Sequence, residues 1–302
     1  MKSSGLRLWY LVPAFISLAA AGCVTSESFT LNEVSLSGPI ARTPIYVTIN
    51  PVPGTVQIIP GFALDNAPAI SGMIEPEPPP AALPGHNSGT AGNLTWDVPG
   101  SEYSLDLQII AVQHVGLTAG GTYAAAGGYQ FTNFRVGIGL FTVENQFAIR
   151  LDAGAQFNAL RYRSRVTVTA TVEGPFVGHD QYVSNFDDTG VQQSIGAALG
   201  LTLNSAYTES IVNGFLHIGV AWQPLINYNP ANPDTVLGAG DGQPATGNVK
   251  STTAVLTFGG GIALELGNGH RVLLGVRGAQ LLDVTPAPGV VWQPFFELVF
   301  TF

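Results

Sequence analysis

Among side chains able to do chemistry, the sequence offers one cysteine and five histidines, and none has company at the spacing a reaction needs. His114 and Asp106 share one face of an extended stretch, but their separation in sequence puts them roughly 26 Å apart at strand rise. His217 lies among Asn213, Phe215 and Gly219, with no carboxylate at suitable spacing. His86, His179 and His270 fall in predicted loops or turns. No Ser-His-Asp set, His-x-x-His pair or cysteine cluster occurs, and no glycine-rich loop follows a strand and opens a helix. The run Gly259-Gly260-Gly261 sits inside an alternating stretch, where glycine relieves curvature. The sequence predicts no enzyme, no cofactor and no metal site.

Charge placement says more. Arg161, Arg163 and Arg165 recur every second residue, so on a strand they form one positive stripe. The reading places that stripe inside a lumen, where it could hold an anion or clamp an inserted segment such as 24–43. Glu265 and Arg271 are expected to pair across the Gly267-Asn268-Gly269 turn. A tight turn at Asn158-Ala159 would bring Asp152 opposite or diagonal to Arg165. With no basic surface run in an acidic chain, nucleic acid is not an expected partner.

These groups need a scaffold, and composition narrows it. The 302 residues are 46% hydrophobic and 10% charged, with 37 Gly and 21 Pro, where a soluble domain carries about 25% charged residues. A single cysteine excludes an internal disulfide framework. Beyond the N-terminus no run approaches the roughly 18 apolar residues of a helical span. Residues 1–22 read as a signal peptide: Lys2 and Arg7, then apolar Leu8 to Ala19, then Ala20, Ala21 and Gly22 before Cys23. This ending resembles the lipobox of bacterial lipoproteins, with Ala20 where the family prefers Leu, and the resemblance implies lipidation of Cys23. Ordinary cleavage after Ala21 is the alternative. Export leaves nine basic residues against 20 acidic ones.

From residue 103 the pattern alternates with period two in nine stretches, among them 146–157, 161–173 and 194–204. A soluble sandwich and a membrane barrel share this pattern with opposite faces wetted. Seven of the nine basic residues fall on polar faces, which are otherwise rich in Gly, Ala, Ser and Thr, and the exported chain keeps one lysine. That favours a barrel with its apolar face in lipid. Phe296, Leu298, Phe300 and Phe302 share a face of the last strand. This resembles the C-terminal signal of bacterial outer-membrane β-barrel proteins, and implies outer-membrane lipid and the barrel-assembly machinery as partners. The resemblance identifies no specific family.

The expected fold is all-β, a closed antiparallel transmembrane β-barrel of about ten strands, with eight or twelve as alternatives. Residues 23–43 would be a periplasmic linker, lipid-anchored at Cys23, and 44–302 the barrel. A tenth strand is placed within 44–59, where Ile45, Val47 and Ile49 alternate, and 60–102 becomes a long Pro-rich external loop. Trp222, Trp292 and Tyr103 are assigned to an outer aromatic girdle, and Phe157, Tyr162, Phe300 and Phe302 to an inner one. The expected location is the bacterial outer membrane. The expected role is passive, porin-like or structural, with a small solute or ion as the passing partner. A surface binding module, on a barrel or on a soluble sandwich lipoprotein, is the second reading, and a lipid-modifying barrel enzyme the third.

Overall fold

The computed structural model describes residues 23–65, 69–74, 86–90, 92–126, 128–144, 146–174, 178–207, 210–228 and 249–302. The expected signal peptide and the proline run Pro78-Pro79-Pro80 lie outside the described residues. Fifteen strands follow in order: β1 Cys23–Ser37, β2 Val56–Leu64, β3 Ile70–Ile74, β4 His86–Thr90, β5 Gly92–Asp97, β6 Ser101–Val112, β7 Val115–Ala126, β8 Tyr129–Glu144, β9 Phe147–Gly174, β10 Gly178–Ser205, β11 Val212–Tyr228, β12 Val249–Gly267, β13 His270–Leu281, β14 Val284–Thr285 and β15 Val291–Thr301.

Ten of them close a ring. β2, β6, β7, β8, β9, β10, β11, β12, β13 and β15 pair each with the next, and β15 pairs back onto β2, all antiparallel. The wall has its polarity reversed relative to a soluble protein. Phe134 is 58% exposed and Leu105, Val136, Ile138, Leu199 and Leu216 are also exposed, while Arg150 is 0% exposed and Asp152, Gln156, Asn204 and Gln293 are buried. Alternating side chains make one face of each strand apolar and outward and the other polar and inward. Such a surface is stable only against lipid. The chain is a closed ten-stranded antiparallel transmembrane β-barrel.

The two ends differ. At one end short connections join neighbours, as at Gly267, Asn268 and Gly269, which all have positive φ. At the other lie the long connections and the short strands β3, β4, β5 and β14. Barrels of this kind put short turns on the periplasmic side and long loops outside.

Several expectations are corrected. No turn occurs at 158–159: β9 runs unbroken, Asn158 opposite Ser194 and Ala159 opposite Gln193. Residues 178–192, expected as loop, are the matching half of β10. β7 was missed, because its alternation is carried by Gly, Ala and Thr, whose side chains differ little in polarity. The small residues are needed there: a Cβ at Gly120 would overlap the Asp106 carboxylate. One strand split in two and one overlooked cancel, so the expected count survives.

The tenth strand is Val56–Leu64, not the alternating residues 45–49. Its ladder to β15 breaks between Gly61 and Ile58, around Pro60, which has no N–H to give. The long connection to β6 therefore starts at Asp65 and carries β3, β4 and β5. Residues 45–49 are buried on both faces, inside the barrel. Residues 23–37, expected as part of a linker, form a strand instead. β1 extends the sheet beyond β8 at the long-loop end, antiparallel to residues Arg161 to Glu173 of β9.

Candidate functional site: the occupied lumen

Between β1 and β2 the chain passes through the barrel. Gly38 (φ +138°) turns it inward from the long-loop end. A Cβ there would meet Leu160 at 2.9 Å, so the bend needs glycine in conformation and in space. Asn50 and Gly54, both with positive φ, reverse the chain at the short-turn end and feed β2. Between them Pro39 to Ile49 occupies the lumen. Pro39, Pro44 and Pro51 keep this segment out of a ladder, because proline cannot donate.

Buried backbone groups outside a ladder need other partners, and side chains of β5 and of the wall supply them. Trp96 Nε1 donates to Gly38 O at 2.8 Å. The Gln223 amide accepts from Ala41 N at 2.7 Å and donates to Pro39 O at 3.3 Å. Gln156 Nε2 donates to Arg42 O at 2.6 Å. Asn204 imitates a neighbouring strand, accepting from Thr48 N at 3.2 Å and donating to Thr48 O at 2.9 Å. Arg271 donates to Ile49 O at 2.8 Å. Apolar contact completes the fit: Ile45, Val47 and Ile49 pack against Ile59, Phe215, Leu273, Phe295 and Val299.

Charges are matched across the same space. Arg42 on the inserted segment bonds Asp65 at 2.7 Å and Glu102 at 2.9 Å. Arg277 reaches Glu102 at 3.5 Å, and Gln293 donates to Asp65 at 3.0 Å. Arg135 pairs with Asp106, and Arg150 with Asp152 at 2.8 Å. The Arg150 guanidinium lies 4.7 Å from the centre of the Tyr46 ring, a cation–π contact between wall and insert. His217 sits between two hydroxyls, its Nε2 2.6 Å from Thr43 Oγ1 and its Nδ1 2.9 Å from Thr202 Oγ1. Among the described residues no three His, Cys, Asp or Glu side chains cluster as a metal would need.

Arg271 and Glu265 meet at 2.7 Å across the glycine turn. Asp152 and Arg165 do not meet: Asp152 holds Arg150, and Arg165 pairs with Asp187 at 2.9 Å and with Glu33 at 4.0 Å. Arg161, Arg163 and Arg165 are not in the lumen. Removing the imagined turn reverses their face, so they point outward with Phe157, beyond the rim of the long-loop end. Their loss and the arrival of Arg42 change the interior balance. Seven basic residues were expected on the lumen faces, whereas among the described residues the interior holds five arginines and six carboxylates. Phe157 and Tyr162 lie at the end opposite the one expected, and Tyr162 packs inward against the apolar cluster under β1. Phe296, Phe300 and Phe302 are exposed on the outward face of β15, with Leu298 in line at half exposure. Cys23 lies in register with Glu173, near the far tip of the β9 extension.

Arg42 and the residues flanking it could not be found from sequence. Their only signal is the proline spacing of the segment, which does not say which distant strands will face it.

No protein-family model and no curated protein sequence matches the chain. Solved structures resemble it at low identity. The N-terminal β-barrel domain of Pseudomonas aeruginosa OprF is 8% identical, covering 83% of this chain and 98% of that one, with a TM-score of 0.30. LpxR from Salmonella typhimurium is 8% identical, covering 82% and 100%, TM-score 0.35. The outer membrane protease OmpT from Escherichia coli is 10% identical, covering 85% and 98%, TM-score 0.37. These likenesses assign no activity to this chain.

Proposed function

We propose that the protein is a passive barrel of the bacterial outer membrane, structural in role and closed at rest by its own residues 38–50. The observation that carries this is the fastening of the insert: Trp96, Gln156, Asn204, Gln223 and Arg271 each bind its backbone, from different strands. A mobile gate needs weak attachments, whereas this segment has its backbone held at Gly38, Pro39, Ala41, Arg42, Thr48 and Ile49. The lumen is then a packed core, and the extramembrane sheet of β10, β9, β1, β5 and β3 is what the barrel holds up. That sheet also supports the second reading, a surface binding module. Planar-bilayer recording tests the first. The expected result for the intact protein is no stable open level, with brief openings in Asn204→Leu. Large, steady conductance from the intact protein would overturn it.

A further inference from the structure

The outward face of β9 is apolar from Phe147 through Ile149, Leu151, Ala153 and Ala155 to Phe157. That stretch matches the roughly 9–11 residues a tilted strand needs to cross a bilayer. After Ala159, Arg161 and Arg163 follow on the same face, just past the length that crosses the bilayer. In register, Arg161 stands between Ser37 and Val191, and Arg163 between Ser35 and Thr189. The next step, Arg165, stands between Glu33 and Asp187 and pairs with both. The stripe thus divides. Its upper member is neutralised, while its lower two are flanked by hydroxyls and one aliphatic side chain. The Arg161 guanidinium stacks on Tyr129, 3.7 Å from the ring centre, which orients its plane and leaves its edge open. Arg163 is exposed.

We propose that Arg161 and Arg163, with Ser35, Ser37 and Thr189, hold the phosphate of an anionic membrane lipid against the outside of the barrel at its long-loop end. Two guanidinium groups two residues apart sit about 6.6 Å from each other along a strand. Planar guanidinium forks match phosphate oxygens two at a time. The location selects a lipid over a soluble anion. The stripe is open on one side and has no second wall to enclose a free ion. Past the intervening pair of Ala159 and Gln193, Phe157 and Ile195 (65% exposed) offer apolar surface to the acyl chains that arrive with a headgroup. A basic group at the interface costs far less than at the midplane, and anionic headgroups reverse the sign.

The test uses the whole protein in neutral detergent, with native mass spectrometry counting bound dioleoyl phosphatidate. Dioleoylglycerol, which lacks phosphate, and inorganic phosphate serve as probes of the two alternative sources. The expected result is retention of phosphatidate over dioleoylglycerol, weakening with salt. The double variant Arg161→Gln/Arg163→Gln should lower it about tenfold, and Arg165→Gln should leave it within about twofold. Heat-modifiable gel mobility verifies that each variant is folded. Equal retention by the double variant, or equal retention of dioleoylglycerol, would overturn the proposal. Displacement of phosphatidate by an equal concentration of inorganic phosphate would overturn the lipid as its source. Should the double variant not fold, salt-independent retention by the unaltered protein would count against the proposal, and salt-weakened retention for it.

Discussion

Asn204 shows how single residues close this lumen. Its amide satisfies both the N–H and the C=O of Thr48, a residue 156 positions away in sequence. A buried donor or acceptor left without a partner costs about 1–3 kcal/mol. Asn204→Leu keeps the volume and strands both groups, so it should loosen the insert by about that much for each. The check is a lower midpoint of unfolding in detergent for Asn204→Leu, alongside an unchanged midpoint for Ser210→Ala, whose hydroxyl bonds only within an exposed turn. Breaking the buried Arg42 cluster would cost more, about 3–5 kcal/mol, because Asp65 would keep its burial and lose its ion-pair partner, and Glu102 would keep only Arg277. The pair Glu265 and Arg271 was legible because a glycine turn places them opposite each other locally. Arg42 with Glu102, and Asn204 with Thr48, were not, since no local pattern reports which distant strand will face an insert.

On the scale of elements, period-two alternation was a sound guide to strands and a poor guide to their ends. Asn158-Ala159 has turn-like residues, yet the ladder continues through both to β10. One imagined turn shifts the parity of the rest of β9, and that shift alone put three arginines in the lumen. A fully enclosed segment also misleads. Ile45, Val47 and Ile49 alternate as a wall strand would, but Tyr46 and Thr48 are buried as well, a difference the pattern cannot express. The corrected parity makes a prediction. In an Asn204→Leu background that conducts, adding Arg163→Glu should leave cation-to-anion selectivity in the bilayer unchanged, because Arg163 does not line the path. A shift toward cations would return the stripe to the lumen.

For the whole molecule, the broad class was readable from charge placement. Within the membrane-crossing length basic residues avoid the outward face, because a lipid-facing arginine at the midplane costs about 2–4 kcal/mol. Which end of the barrel holds the N-terminal region was not readable, because both orientations satisfy the alternation equally. The structure puts β1 at the long-loop end and residues 50–55 at the other. An impermeant maleimide on intact cells should therefore label Ser35→Cys and leave Val52→Cys unlabelled until the membrane is breached. Each is read against the parent protein, whose own Cys23 sets the background. The opposite pattern would invert the orientation.

The ladder gap at Pro60 has a consequence for how this barrel comes into being. The ring is shut by β15 meeting β2, and that ladder is interrupted where Pro60 lacks its donor. It is a seam with fewer fastenings than the continuous ladders elsewhere, as between β9 and β10. The segment that fills the lumen leads directly into β2, the strand on one side of the seam. If that seam is the last edge to close, the thread is laid down before the ring shuts around it, and the route by which it entered vanishes with the seam.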